Sequence, residues 1–146
     1  MKNSVKKEIE KIIEKEKLNC SIEEFEDKVD WDFVPINQKL SLDFIREFKD
    51  KVDWDDICQF QTLSEDFIRE FENKVNWYKV SWFQTLSEDF IREFQDNVYW
   101  DEISQFQILS EDFIREFKNY IDWYNIFECQ FLSEDFIKEF KDKKYL

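Results

Sequence analysis

The sequence predicts an all-α fold: an α-solenoid of 23-residue two-helix repeats with an N-terminal amphipathic capping helix. The first observation behind this is a strict period. Trp31, Trp54, Trp77, Trp100 and Trp123 lie 23 residues apart, and Phe25, Phe48, Phe71, Phe94, Phe117 and Phe140 keep the same step. So do Gln38, Gln61, Gln84, Gln107 and Gln130. The second is that each period contains two helix-start signals. The third is length, because a helix of about ten residues is not stable alone in water. Such helices persist by stacking on their neighbours, which is how solenoids hold together.

Residues 1–17 come first and form the N-terminal helix. Val5, Ile9, Ile12 and Ile13 mark one apolar face over 4–16, with Ser4 in the N-cap position. This helix is expected to cover the first repeat. Residues 18–39 are a worn first repeat that keeps Ile22, Phe25, Val29 and Trp31 but has Ser21 where later units have Phe. Residues 40–131 hold four regular repeats, and 132–146 a C-terminal half repeat, all within one domain. The half repeat ends in Lys141, Lys143 and Lys144, charges that suit a helix C-terminus.

Within a regular repeat the first helix starts at Ser41, Ser64, Ser87, Ser110 or Ser133. Serine is a strong N-cap, and the acidic residues after it favour the positive end of the helix dipole. Leu40 before the cap and Ile45 after it make a hydrophobic staple. This helix is expected over 42–52, with Phe44, Ile45, Phe48 and Val52 inward. The second helix starts at Asp30, Asp53, Asn76 or Asp122, with Tyr99 the exception. Val52 and Ile57 staple it, and Asp53 with Asp56 makes a capping box. It is expected over 54–61, with Trp54, Ile57 and Phe60 on one side.

The pattern DW-x-x-I-x-x-x-Q-x-LSEDFI-x-EF resembles the short tandem helical repeats of large DNA viruses, phages and some bacteria. The match is close over 40–146 and weak over 17–39. The resemblance implies helical repeats and no known active site, and it implies a gene carried on a mobile element.

Composition argues against catalysis. The chain has no His, so the usual general base and metal ligand are missing, and no Gly, so phosphate-cradling loops are excluded. No cofactor and no metal site is expected. The DWDD run at 53–56 reads as a helix cap rather than a calcium loop. Carboxylate pairs occur in every repeat, which fits a solvated surface better than a catalytic pair. Cys20, Cys58 and Cys129 show no metal or disulfide spacing, which fits a reducing cytoplasm, that of a host if the gene is viral. Cys58 shares its column with Ser81 and Ser104 and reads as a small packing residue, while Cys129 stands in a Phe column and reads as core.

The formal net charge is −14, and residues 1–17, with six Lys against four Glu, are the basic exception. So acidic a chain repels nucleic acid and anionic membranes, and direct binding to either is not expected. No apolar run is long enough to span a bilayer, and the first residues do not form a secretory signal. The partner expected is a protein, including a basic or nucleic-acid-binding one.

Two sets of residues are candidate contacts. Glu65/Asp66, Glu88/Asp89 and Glu111/Asp112 form an acidic row at the repeat spacing. Tyr78, Trp82 and Tyr124 break the repeat pattern, so stacking alone does not explain them; exposed they are binding anchors, inward they are loose core filling. The Trp column reads as core rather than as a platform for bases, and the Gln column as amides bonded to backbone between layers or as a ladder on a binding surface. The Arg46 and Glu47 columns are expected to pair across the stack. The function these features support is a non-enzymatic adaptor or inhibitor that binds a protein. The alternative is a nucleic-acid mimic that blocks a DNA- or RNA-binding defence enzyme, of anti-CRISPR or anti-restriction type.

Overall fold

The structure, a computed structural model, describes residues 1–143. Lys144, assigned above to a helix C-terminus, lies outside them. All regular secondary structure among the described residues is helical. The chain divides into two compact units, Met1–Val75 and Asn76–Leu146, and in each the helix pairs stack as the solenoid expectation requires.

The first unit contains α1 (Asn3–Glu16), α2 (Phe25–Lys28), α3 (Val34–Asn37), α4 (Leu42–Glu47), α5 (Trp54–Phe60) and α6 (Glu65–Glu70). Helix α1 buries Val5, Ile9 and Ile12 and packs on α4. It starts one residue earlier than expected, and Ser4 is not its cap, because Lys2 holds the N-cap position without a side-chain bond. Ser21, the odd residue of the worn repeat, exchanges bonds with Glu24: each backbone N–H donates to the other's side chain, at 3.0 and 3.3 Å. That is a capping box. The second unit contains α7 (Trp77–Phe83), α8 (Glu88–Glu93), α9 (Trp100–Phe106), α10 (Glu111–Glu116), α11 (Trp123–Cys129), α12 (Glu134–Glu139) and a 3-10 turn at Lys141–Lys143. Second helices lie side by side: α3 on α5 in the first unit, and α7 on α9 and α9 on α11 in the second.

Each first helix is shorter than the expected 42–52 span. In α4 the chain leaves helical geometry at Phe48 (φ −109°, ψ 25°) and continues as tight turns, with Lys51 N–H and Val52 N–H both donating to the Phe48 carbonyl. The turn swings Val52 back into the core. It also frees the Lys49 carbonyl, which accepts the indole N–H of Trp54 at 3.0 Å. Trp31, Trp100 and Trp123 bond the carbonyl five residues back in the same way. Half-buried Trp31, Trp54, Trp77 and Trp100 each lie on the next repeat's Phe pair, as Trp100 does on Phe113 and Phe117 at 6.3 and 4.9 Å, and Trp123 lies on Phe140. The core is thus a column of Phe sealed by Trp, as expected for the Trp column.

The serine caps are all present, with each hydroxyl accepting the N–H three residues on. Removing one, as in Ser110→Ala, is expected to lower stability by about 1 kcal/mol, read as a lower urea midpoint at constant slope. Tyr99 caps nothing with its side chain. Instead its N–H donates to Ser81 Oγ of the preceding second helix at 3.0 Å, and Asp122 N–H does the same to Ser104 Oγ at 2.9 Å. The small column to which Cys58 belongs is therefore where second helices touch, and Cys58 is fully buried, as expected.

The chain ends its second helices without glycine by borrowing an amide from the next layer. Gln107 Nε2 donates to the Ser81 and Gln84 carbonyls of the α7 terminus at 2.9 and 2.8 Å, and its Oε1 accepts Leu86 N–H at 3.0 Å. Gln130 repeats this on Ser104, Gln107 and Leu109, and Gln61 on Pro35, Gln38 and Leu40. A helix leaves its last carbonyls without intrahelical partners, and here the Gln column supplies them. The column is a structural ladder between layers and is buried in its middle members.

Candidate protein-binding face

The first helices present the charged columns. Arg46 forks onto Glu70, Arg92 onto Glu116 and Arg115 onto Glu139, with closest contacts of 2.7, 2.9 and 2.9 Å. Each guanidinium also lies 5.0 Å from the ring centre of the next repeat's Phe: Arg46 over Phe67, Arg92 over Phe113, Arg115 over Phe136. These are the expected pairs across the stack. The partner carboxylates raise the pKa values of Arg92 and Arg115, with Glu116 and Glu139 as the leading causes.

The acidic row sits inside this lacing. Asp66, Asp89 and Asp112 pair with Arg69, Arg92 and Arg115 one turn on, at 2.9, 2.9 and 3.0 Å. Glu88 Oε1 accepts the Ser110 backbone N–H, and Glu111 Oε1 that of Ser133, both at 2.6 Å. The Ser133 N–H, and then its hydroxyl, hold the Glu111 carboxyl below the ordinary Glu range. Glu65, at the same register in the first unit, is half-buried. Glu88 and Glu111 therefore join layers, while the three aspartates pair within their own helix. In the first unit, α1 supplies the equivalent group, because Glu8 accepts both the backbone N–H and the hydroxyl of Ser41, at 2.8 and 2.5 Å. Lys7, Lys11 and Lys39 edge an open depression there, whose one carboxylate is this engaged Glu8.

The second helices present a different surface. Phe60, Phe83 and Phe106 are 46, 38 and 41% exposed, so the column that Phe60 leads faces out and is not core. Cys129, expected in the core with that column, is exposed for the same reason.

In the second unit this face carries a packed aromatic group. Trp82 stacks on Phe83 (4.8 Å, 14°) and on Phe106 of the next repeat (5.2 Å, 17°). Tyr78 meets Trp82 and Tyr99 edge-on at 5.7 and 5.5 Å. Loss of solvent, and then the Glu102 carboxylate, raises the Tyr78 hydroxyl pKa. The structure thus brings Tyr78 and Trp82 together. It leaves Tyr124 apart, 70% exposed and without a ring contact among the described residues.

Sequence reasoning missed Phe83, Tyr99, Phe106, Ile108 and Phe131. Ile108 and Phe131 are 91 and 99% exposed, directly after their buried or half-buried Gln. A signal for them existed: their column reads Lys39, Thr62, Thr85, Ile108, Phe131 and turns apolar only in the last two repeats. Among the described residues no group of His, Cys, Asp or Glu is placed to hold a metal ion, and no helix is long and apolar enough to cross a membrane. Comparison with protein-family models, with curated proteins and with solved structures finds no match.

Proposed function

We propose that this chain is a non-enzymatic protein-binding module, an adaptor or inhibitor, and that its second-helix face in the Asn76–Leu146 unit is where the partner docks. One observation carries this reading: Trp82 lies exposed against Phe83 and Phe106 on the second helices, in a unit that also leaves Ile108 and Phe131 in water. Large apolar side chains clustered on a surface cost solubility, and such patches mark interaction sites. Rigid aromatic groups are also the usual anchors of protein interfaces. The charged face has a second explanation, since its carboxylates bridge layers or pair with arginine. The free thiols of Cys20, Cys58 and Cys129 fit the cytoplasmic setting proposed with it.

The test is capture of partners from the source cell, repeated with variants and with duplex DNA and RNA as competitors. Trp82→Ser combined with Phe106→Ser is expected to weaken capture about 30-fold or more, the scale of a lost hot spot, and nucleic acid is expected to release nothing. A partner released by duplex, lost with Asp89→Lys and Asp112→Lys but retained by the Trp82 and Phe106 variant, would replace this reading with nucleic-acid mimicry.

A further inference from the structure

Resting on that reading, we infer that the occupant of the second-helix face is a basic amphipathic segment, one with apolar anchors on one side and Lys or Arg beside them. The apolar half of the argument is the shelf of near-parallel rings made by Phe83, Trp82 and Phe106. The charged half is the contrast between the two faces of the same unit. On the first helices each arginine is matched to carboxylates of its own and the next layer. On the second helices, Asp101 of α9 and Glu128 of α11 are exposed and enter no ion pair among the described residues. By register Asp101 stands in the column of Tyr78 and Glu128 in that of Trp82, so both belong to the second-helix face that bears the shelf and offer a carboxylate to a cation from elsewhere.

The shelf already accepts one cation from its own chain, for Lys79 Nζ lies 5.5 Å from the Phe83 ring centre. Aromatic faces attract Lys and Arg through their quadrupole, and more so once water is displaced. A partner cation laid over Trp82 would gain the same contact and reach a carboxylate. The net charge of −14 draws such a segment in and opposes a second copy of this chain.

The probe is a synthetic Leu–Lys peptide of about 18 residues, five helical turns with the leucines on one side. Two controls accompany it: the same residues in scrambled order, and a Leu–Glu peptide of identical pattern. Titration calorimetry on the full chain is expected to show binding of the Leu–Lys amphipath alone. Trp82→Ser with Phe106→Ser should weaken it about 30-fold. Asp101→Lys with Glu128→Lys should weaken it about 10-fold, whereas Asp89→Lys with Asp112→Lys on the other face should change it less than about 3-fold. Ile108→Ser with Phe131→Ser, at fully solvated positions, gives a second apolar variant whose fold is not at risk.

Equal loss from both charge reversals, with no effect of either apolar variant, would overturn the inference in favour of total charge alone. Equal binding of the Leu–Glu peptide would overturn the basic character of the segment and leave the protein-binding reading standing. That reading fails separately, when capture of natural partners ignores Trp82 and Phe106.

Discussion

Gln107→Leu is expected to destabilise the second unit by about 3 kcal/mol or more. The leucine fills a similar volume and removes a polar side chain from a site only 5% exposed, so burial alone favours it. The loss comes from its neighbours. Leu86 N–H and the carbonyls of Ser81 and Gln84 all bond the Gln107 amide, and no water replaces it at such burial. A buried backbone group left without a partner costs about 1–3 kcal/mol. Urea denaturation followed by circular dichroism measures the change, with Gln105→Leu as the control. Gln105 is exposed on the same helix, and its replacement is expected to stay within about 0.5 kcal/mol. Equal midpoints for the two variants would show that the ladder contributes nothing.

Phe113→Ala is expected to cost about 3–5 kcal/mol. The ring is fully buried, sits 4.6 Å from Phe117 and 6.3 Å from Trp100, and carries the Arg92 guanidinium 5.0 Å above it. Truncation leaves a cavity bounded by rigid rings on two sides, which cannot collapse to fill it. At about 2–4 °C per kcal/mol for a chain of this size, the melting temperature falls by roughly 10 °C. Phe131→Ala removes the same atoms from a 99% exposed position and is expected to leave the melt unchanged. A small effect at Phe113 would mean that the Phe column is not the core of the stack.

The two variants also mark where the sequence was readable. The 23-residue step, the serine caps and the Trp and Phe columns follow from period and helix-end chemistry, because these depend on residues close in the chain. The exposure of Phe60, Phe83 and Phe106 was not readable by the same route. Trp54, Ile57 and Phe60 share a three-residue spacing, and counting apolar residues alone puts them on one side. The buried stripe is instead Ile57, Cys58 and Gln61, with Trp54 half-buried at its start. Its equivalents in the next two repeats include Ser81, Ser104 and further glutamines, polar residues that a binary pattern sends outward. They lie inside because the adjacent layer meets their hydrogen bonds. The acidic row misled for a related reason. The partner of Glu88 and of Glu111 is a backbone N–H 22 residues away, invisible to any short window.

Glu8 stands to Ser41 as Glu88 stands to Ser110, so the first regular repeat accepts a non-repeat helix through the same handshake that joins two repeats. Within each unit the joints are interchangeable parts. A duplication or deletion of 23 residues that falls within a unit and starts and stops at matching points therefore recreates each bond it interrupts, without a new loop or an altered core. The near-identical LSEDFIREF stretches, eight of whose nine residues also occur from Leu40 to Phe48, are where unequal recombination would place such breaks. Layer number is then a variable that evolution can change in single steps, while Trp82 and the irregular residues around it are written once and move with the layer that bears them. Selection can tune the reach of the stack and the chemistry of its docking face separately.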